Sequence, residues 1–102
     1  MEPINFDDIS KKIEESQNKI DVSLLAFWNL IKIIPEKWES KHFENESTSF
    51  WVIAIFGKCV IYYNDIEEGF NISSFECFGE IKNYLCEEFD LNQVLYQIYY
   101  SN

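Results

Sequence analysis

Phe50–Tyr63 has the sequence FWVIAIFGKCVIYY, in which two apolar runs flank the pair Gly57-Lys58. Two such runs separated by a Gly-X pair are typical of a β-hairpin with a type II′ turn, whose first central residue is glycine. Asn64–Gly69 (NDIEEG) is predicted to be a second, longer connection, and Phe70–Phe75 (FNISSF) a third strand. The sequence therefore predicts a three-stranded antiparallel meander.

The first predicted strand is apolar on both of its faces. Strict alternation places one set of residues on one face and a second set on the other: Phe50, Val52, Ala54 and Phe56, against Trp51, Ile53 and Ile55. In an antiparallel sheet with one solvated face, apolar and polar residues should alternate. We therefore expect either helices on both faces of the sheet or an apolar face that meets a partner, such as a second copy of the chain.

The first third of the chain has the periodicity of a helix. A single helix over Phe6–Ile34 would be about 42 Å long, whereas a domain of this length is only about 33 Å across. We therefore predict two helices with a break near Asn18–Asp21, and we expect Pro35 to end the second one. The apolar residues that recur at helical steps are Ile9, Ile13, Ile20, Leu24, Phe27 or Trp28, and Ile31. The expected N-caps are Asn5 or Asp7 for the first helix and Asp21 for the second.

The remaining segments complete an α+β prediction. Glu36–Ser40 is expected to form a short turn that buries Trp38, and the polar stretch Lys41–Ser49 a loop. Phe78–Leu85 fits either a helical turn or a short fourth strand. A C-terminal helix is predicted over Leu91–Tyr99, capped by Asp90. We expect residues 1–102 to form a single domain of two N-terminal helices, the meander and this last helix.

Composition excludes several classes of protein. Hydrophobic residues make up 47% of the 102 residues and aromatic residues 18%, which is incompatible with a disordered chain. The eight basic residues are all lysine against 18 acids, giving a net charge of −10. Nucleic-acid binding and adhesion to anionic membranes both depend on cationic side chains, so we expect neither. No N-terminal leader and no membrane-spanning run is recognisable, so we predict a cytoplasmic protein.

Residues that could carry catalytic or metal chemistry are few and scattered. The NDIEEG segment fails the calcium-loop pattern, because Ile66 and Phe75 occupy ligand positions. His42 is the only histidine, and the three cysteines match neither a common zinc spacing nor a disulfide framework. We expect Cys59, Cys77 and Cys86 to be reduced. The prediction is a protein with no catalytic residue, no metal and no cofactor, with a small-molecule enzyme as the least favoured alternative.

Acidic residues are concentrated in the second half of the chain, which holds eight acids and two lysines. A small aromatic-rich domain with one acidic face can mimic the charge of a nucleic acid and cap a basic protein surface. The alternative is that these acids only keep the protein in solution. The candidate partner-binding residues are Asp65, Glu67, Glu68, Glu76, Glu80, Glu87, Glu88 and Asp90.

Phe50–Phe75, together with the preceding Pro35-Glu36-Lys37-Trp38, resembles small α+β immunity proteins of bacterial contact-dependent inhibition and related polymorphic toxin systems. The resemblance implies a cytosolic, non-enzymatic inhibitor of one toxin domain, with Asp65, Glu67 and Glu68 exposed to that partner. The predicted function is an immunity protein that occludes a basic, nuclease-class toxin domain. The alternative is a homodimeric structural or adaptor module that uses an apolar sheet face.

Overall fold

The computed structural model describes residues 4–40, 48–85 and 87–100. These residues form three helices and five strands: α1 (Phe6–Gln17), α2 (Val22–Ile31), β1 (Lys32–Ser40), β2 (Thr48–Phe56), β3 (Cys59–Asn64), β4 (Gly69–Ser74), β5 (Glu80–Ile81) and α3 (Leu91–Tyr100). The sheet has the order β4-β3-β2-β1-β5, in which β1 and β5 are parallel and the other neighbours antiparallel. The α+β class is confirmed, but the predicted meander is only part of a larger mixed sheet.

The helix boundaries follow the predicted caps. The Asn5 side chain accepts a hydrogen bond from the Asp8 N–H at 2.8 Å, and the Asp21 side chain accepts one from the Ser23 N–H at 3.3 Å. The chain breaks between α1 and α2 where predicted. The α3 helix begins after Asp90, whose carboxylate accepts from the Gln93 N–H at 2.8 Å.

Strand β1 was not predicted. The α2 helix ends at Ile31 because Lys32 already has an extended backbone, with φ −64° and ψ 146°. Pro35 lies in the strand, at a register shift in the pairing with β2, where its missing N–H is tolerated. The predictions of a helix up to Ile34 and of a turn over Glu36–Ser40 are therefore wrong, although Trp38 is buried as expected.

The loop predicted over Lys41–Ser49 is tested only at its end. Residues 41–47, including His42, lie outside the described residues. Thr48 and Ser49 belong to β2 and pair with Ser40 and Glu39. Strand β2, which corresponds to the first predicted strand, therefore begins two residues before the predicted start.

A bulge exchanges the two faces of β2. Val52 pairs with Tyr62 while Ala54 pairs with Ile61, so β2 has one residue more than β3 at this point. Ile53 and Ala54 consequently both belong to the core under the helices, and Ile55 packs against the other core. The strict alternation predicted for this strand is wrong from Ala54 onward.

The sheet separates two hydrophobic cores. The first lies against the helices and includes Leu24, Trp28, Ile53 and Leu95. The second lies on the opposite face and consists of the buried residues Trp38, Phe50, Val52, Val60, Tyr62 and Ile81.

The chain itself covers the second core. Phe75 and Tyr84 pack against it from the segment that contains β5. The Lys82 N–H donates to the Ser74 carbonyl at 3.3 Å, so this segment returns to β4 and the sheet curls. Because Val52 and Tyr62 are fully buried by the chain's own residues, the apolar sheet face that motivated the dimer alternative is already covered. Within the described ranges, no helix is long and apolar enough to cross a membrane.

Candidate functional site

The turn between β3 and β4 presents two of the predicted acids to solvent. The Asn64 Oδ1 atom accepts hydrogen bonds from the backbone N–H groups of Ile66, at 3.0 Å, and Glu67, at 3.2 Å, in the manner of an Asx-turn. Glu68 has a φ of 55°, the one positive value at a non-glycine residue in the described ranges. The Glu67 and Glu68 side chains are both exposed.

Asp65 differs from these two acids. Its side chain is half-buried, and its Oδ2 atom accepts a hydrogen bond from the Ile4 N–H at 3.1 Å. The resemblance to immunity proteins implied an exposed side chain at this position, available to a partner. The carboxylate is instead partly engaged by the chain's own N-terminal segment.

Buried polar side chains of β3 and β4 hold the segment that leads to Glu87. Asn71 Oδ1 accepts from the Glu87 N–H at 3.0 Å, and Asn71 Nδ2 donates to the Glu87 carbonyl at 3.1 Å. The Tyr62 hydroxyl accepts from the Leu85 N–H at 2.7 Å, and Asn64 Nδ2 donates to the Leu85 carbonyl at 3.1 Å. Asn64 and Asn71 are each at most 1% exposed, so they act as structural clamps.

Gly69 allows the turn and this segment to meet. A Cβ atom at Gly69 would collide with the Glu87 carbonyl oxygen and would lie 2.7 Å from the Glu88 Cα atom. At the next residue, the Phe70 N–H donates to the Phe89 carbonyl at 2.9 Å. The close approach places the acids of the β3–β4 turn beside Glu87 and Glu88.

A recess of about 200 Å³ lies between this junction and α1. We call it the acidic recess. Its volume is below the roughly 300–1,000 Å³ that is typical of small-molecule sites. It is several times the roughly 30 Å³ occupied by one water molecule. A recess of this volume suits one long side chain. The charged residues that line it are Glu15, Glu68, Glu88 and Asp90, with the lysines Lys12 and Lys19; Tyr63, Phe70 and Phe89 also line it.

The pKa of Tyr63 depends on the environment inside the acidic recess. Burial raises the pKa of the Tyr63 phenol above its ordinary value, and the carboxylates of Glu68 and then Asp65 raise this pKa further. Lys12 Nζ lies 5.8 Å from the centre of the Tyr63 ring. Burial disfavours a charge of either sign, whereas the two carboxylates disfavour a phenolate and favour a cation at the same place.

Glu76 and Glu80 lie apart from the other six predicted acids. Glu76 follows Ser74, at the far end of β4 from Gly69, and a six-residue strand spans about 17 Å. Lys82 Nζ donates to Glu76 at 2.7 Å, and this hydrogen bond and the lysine charge hold the pKa of Glu76 below its ordinary range. Glu80 pairs with Glu39 in β1, on the opposite edge of the sheet order.

The sequence-based prediction did not include several residues of the site. Lys12 and Glu15 of α1 line the acidic recess, as does Lys19, which follows the end of α1. The spacing of three residues between Lys12 and Glu15 could have indicated a shared helix face, but not where that face would dock. Asn71 carried a clearer signal, because asparagine is depleted within strands.

Cysteine and histidine are the other residue types that could carry chemistry. Cys59 and Cys77 are free thiols, as predicted, whereas Cys86 and His42 lie outside the described residues. In the described part of the chain, no group of three or more His, Cys, Asp or Glu residues could hold a metal ion. In comparisons with known proteins, no family model, no curated protein and no solved structure matches this chain.

Proposed function

We propose that this chain is a cytoplasmic immunity protein that binds and neutralises a basic, nuclease-class toxin domain. The observation that carries the proposal is the gathering of Glu68, Glu88 and Asp90 around one recess, with three more acids beside it. The identification of the partner as a toxin rests on the resemblance of Phe50–Phe75 to immunity proteins.

A lysine or arginine side chain of the partner enters the acidic recess. Four carboxylates line it against two lysines, so the lining favours a cation. Hydrogen bonds that involve charged groups are worth about 1.5–3 kcal/mol each. One inserted cation would therefore act as an anchor of the interface.

The acids outside the recess act at longer range. Glu67 and Glu87 are exposed and attract a basic surface before contact. Such steering raises association rates and is screened beyond a Debye length of about 8 Å at physiological salt. The toxin is then inhibited because the bound domain covers its basic surface.

The experiment measures binding to the protein encoded directly beside this chain's gene, which the proposal expects to carry the toxin domain, by stopped-flow at low and high salt. Replacing Glu67→Lys together with Glu68→Lys should lower the association rate at low salt about tenfold or more and abolish protection of cells. The matched control carries Glu39→Lys together with Glu76→Lys. These two substitutions change the net charge by the same amount, but outside the recess. The control should keep both protection and the rate within about threefold.

Two results would overturn the proposal. Full protection by the Glu67→Lys, Glu68→Lys variant, with an unchanged association rate at low salt, excludes the acidic recess as the recognition element. Absence of any binding between the purified chain and the neighbouring toxin domain excludes the immunity function itself.

A further inference from the structure

An exposed aromatic patch lies at the C-terminal ends of α2 and α3. The rings of Phe56, Phe27, Tyr99, Tyr100 and Tyr96 contact one another in that order, with centre-to-centre distances between 4.5 and 5.3 Å. All of these except Phe27 are 45–58% exposed. We define the aromatic patch as Phe56, Tyr96, Tyr99 and Tyr100 with Leu30, which lies one helical turn after Phe27.

The aromatic patch and the acidic recess lie at opposite ends of the same helices. Asp90 and Asn92, at the start of α3, line the recess. The Asp21 N–H, at the start of α2, donates to Asn92 Oδ1 at 2.8 Å, so both helices begin at the acidic end. Along α3, Asp90 precedes Tyr96 by six residues and Tyr100 by ten, so the two surfaces are about 9–15 Å apart along the helix axis.

The surroundings of the aromatic patch carry a charge unlike that of the rest of the chain. Residues 27–34, 56–59 and 96–100 contain no Asp or Glu and two lysines, Lys32 and Lys58. The whole chain has a net charge of −10. A basic partner would find no carboxylate in these segments, so the toxin domain proposed for the acidic recess does not suit this surface.

We propose that the aromatic patch is the interface of a symmetric homodimer. A two-fold axis pairs the same patch from both copies, so apolar surface meets apolar surface. The acidic ends then point away from each other, about 18–30 Å apart if each α3 contributes the length from Asp90 to the patch. That separation is at least twice the Debye length of about 8 Å, so the like charges of the two copies are largely screened.

The size of the surface corresponds to a weak dimer. Aromatic side chains bury roughly 200 Å² each, so the four half-exposed rings supply about 400 Å². This is half of the roughly 800 Å² that each partner contributes to a standard interface. Leu30, which is 80% exposed, adds to this area, and interfaces below about 1,200 Å² in total are typical of weak, transient association. A dimer of this kind leaves both acidic recesses free, and the inference does not depend on what binds there.

The test is the molar mass of the full chain in solution. Sedimentation equilibrium over a concentration series up to about 1 mM, the range of weak association, should give an average mass that rises above the 12.2 kDa of one chain towards twice that value. The dimer should persist at high salt, because apolar contacts hold it together. A monomer throughout this series overturns the proposal.

A matched pair of substitutions in α2 locates the interface. Leu30 and Val22 are 80% and 81% exposed, but Val22 lies at the acidic end of the helix. Leu30→Lys should raise the dimer Kd at least tenfold, whereas Val22→Lys should leave it unchanged; circular dichroism checks that both fold. Tyr96→Lys is an independent second variant. A dimer that neither Leu30→Lys nor Tyr96→Lys weakens contradicts this interface.

Discussion

The side chain of Asn71 forms two hydrogen bonds to the backbone of Glu87, accepting from its N–H at 3.0 Å and donating to its carbonyl at 3.1 Å. This pairing imitates a strand partner across a gap of sixteen residues. It fixes the segment that carries Glu87 and Glu88 against β4. The arrangement of the acidic surface therefore depends on an uncharged, buried residue.

Asn71→Asp should destabilise the protein by about 3 kcal/mol. The change replaces the donating NH2 group with an oxygen that faces the Glu87 carbonyl, and it places a carboxylate at a site only 1% exposed. Urea denaturation measures the effect. Asn29→Asp, on the exposed side of α2, serves as control and should change stability by less than about 0.5 kcal/mol. Equal midpoints for the two variants would show that the clamp is dispensable.

Ile53→Ala should cost about 2–5 kcal/mol, because Ile53 is fully buried between the sheet and the helices. Ile55→Ala should cost less, since Ile55 is only partly buried and packs on the other core. The measurement is the denaturant midpoint at a constant m-value. The bulge in β2 would be contradicted if the two variants lost the same free energy of unfolding.

The locally encoded parts of the fold could be predicted from the sequence. Asp21 and Asp90 cap helices through bonds to residues two and three positions ahead, so a short window contains the whole signal. The turn at Gly57, with φ of 60°, is likewise set by its own residues. These elements were predicted within a few residues of their observed ends.

Strand β1 was not predicted because only part of it shows the alternation that is typical of a strand. Trp38 and Ser40 are buried while Lys37 and Glu39 are exposed, which is the alternation of a strand. This pattern covers only the end of the strand, and the helical periodicity before Pro35 dominated the prediction. The strand is determined in addition by its pairing with β2, as between Trp38 and Phe50, and this pairing is a tertiary contact.

The acidic recess could be predicted only in part. Glu68 and Asp90 were identified from charge, but Glu15 lines the same recess from α1, more than fifty residues earlier. Such an assembly depends on how α1 docks, which periodicity does not determine. Glu76 shows the converse: it is close to Glu68 in sequence, yet the length of β4 separates them.

The stability of the protein should fall as pH rises above about 10, partly because of Tyr63. Its folded-state pKa is raised above the ordinary 10.0 by burial, Glu68 and Asp65, so the unfolded chain loses this proton first. The contribution of Tyr63 is therefore complete below pH 10 and is lost as pH rises through the folded-state pKa. Tyr63→Phe should show a shallower decline of unfolding free energy in this range. Identical slopes for the variant and the natural chain would exclude this role.

Gly69→Ala should disrupt the acidic recess through a steric clash alone. Gly69 does not have a positive φ, so alanine can adopt its backbone conformation, but the added Cβ would meet the backbone of Glu87 and Glu88. Backbone cannot rotate away as a side chain can, so the segment must move, at a cost of about 1–3 kcal/mol.

Gly57→Ala is the matched control for this substitution. Gly57 has a φ of 60° and nothing within 4 Å of its added Cβ, so alanine there costs about 1–2 kcal/mol of backbone strain without displacing any neighbour. Hydrogen exchange separates the two effects, because the Phe70 N–H donates to the Phe89 carbonyl at the junction. After subtraction of any change in global stability, Gly69→Ala should speed exchange of the Phe70 amide, and Gly57→Ala should not. Unchanged Phe70 protection in Gly69→Ala would mean that contact at Gly69 does not hold the Glu87–Glu88 segment in place.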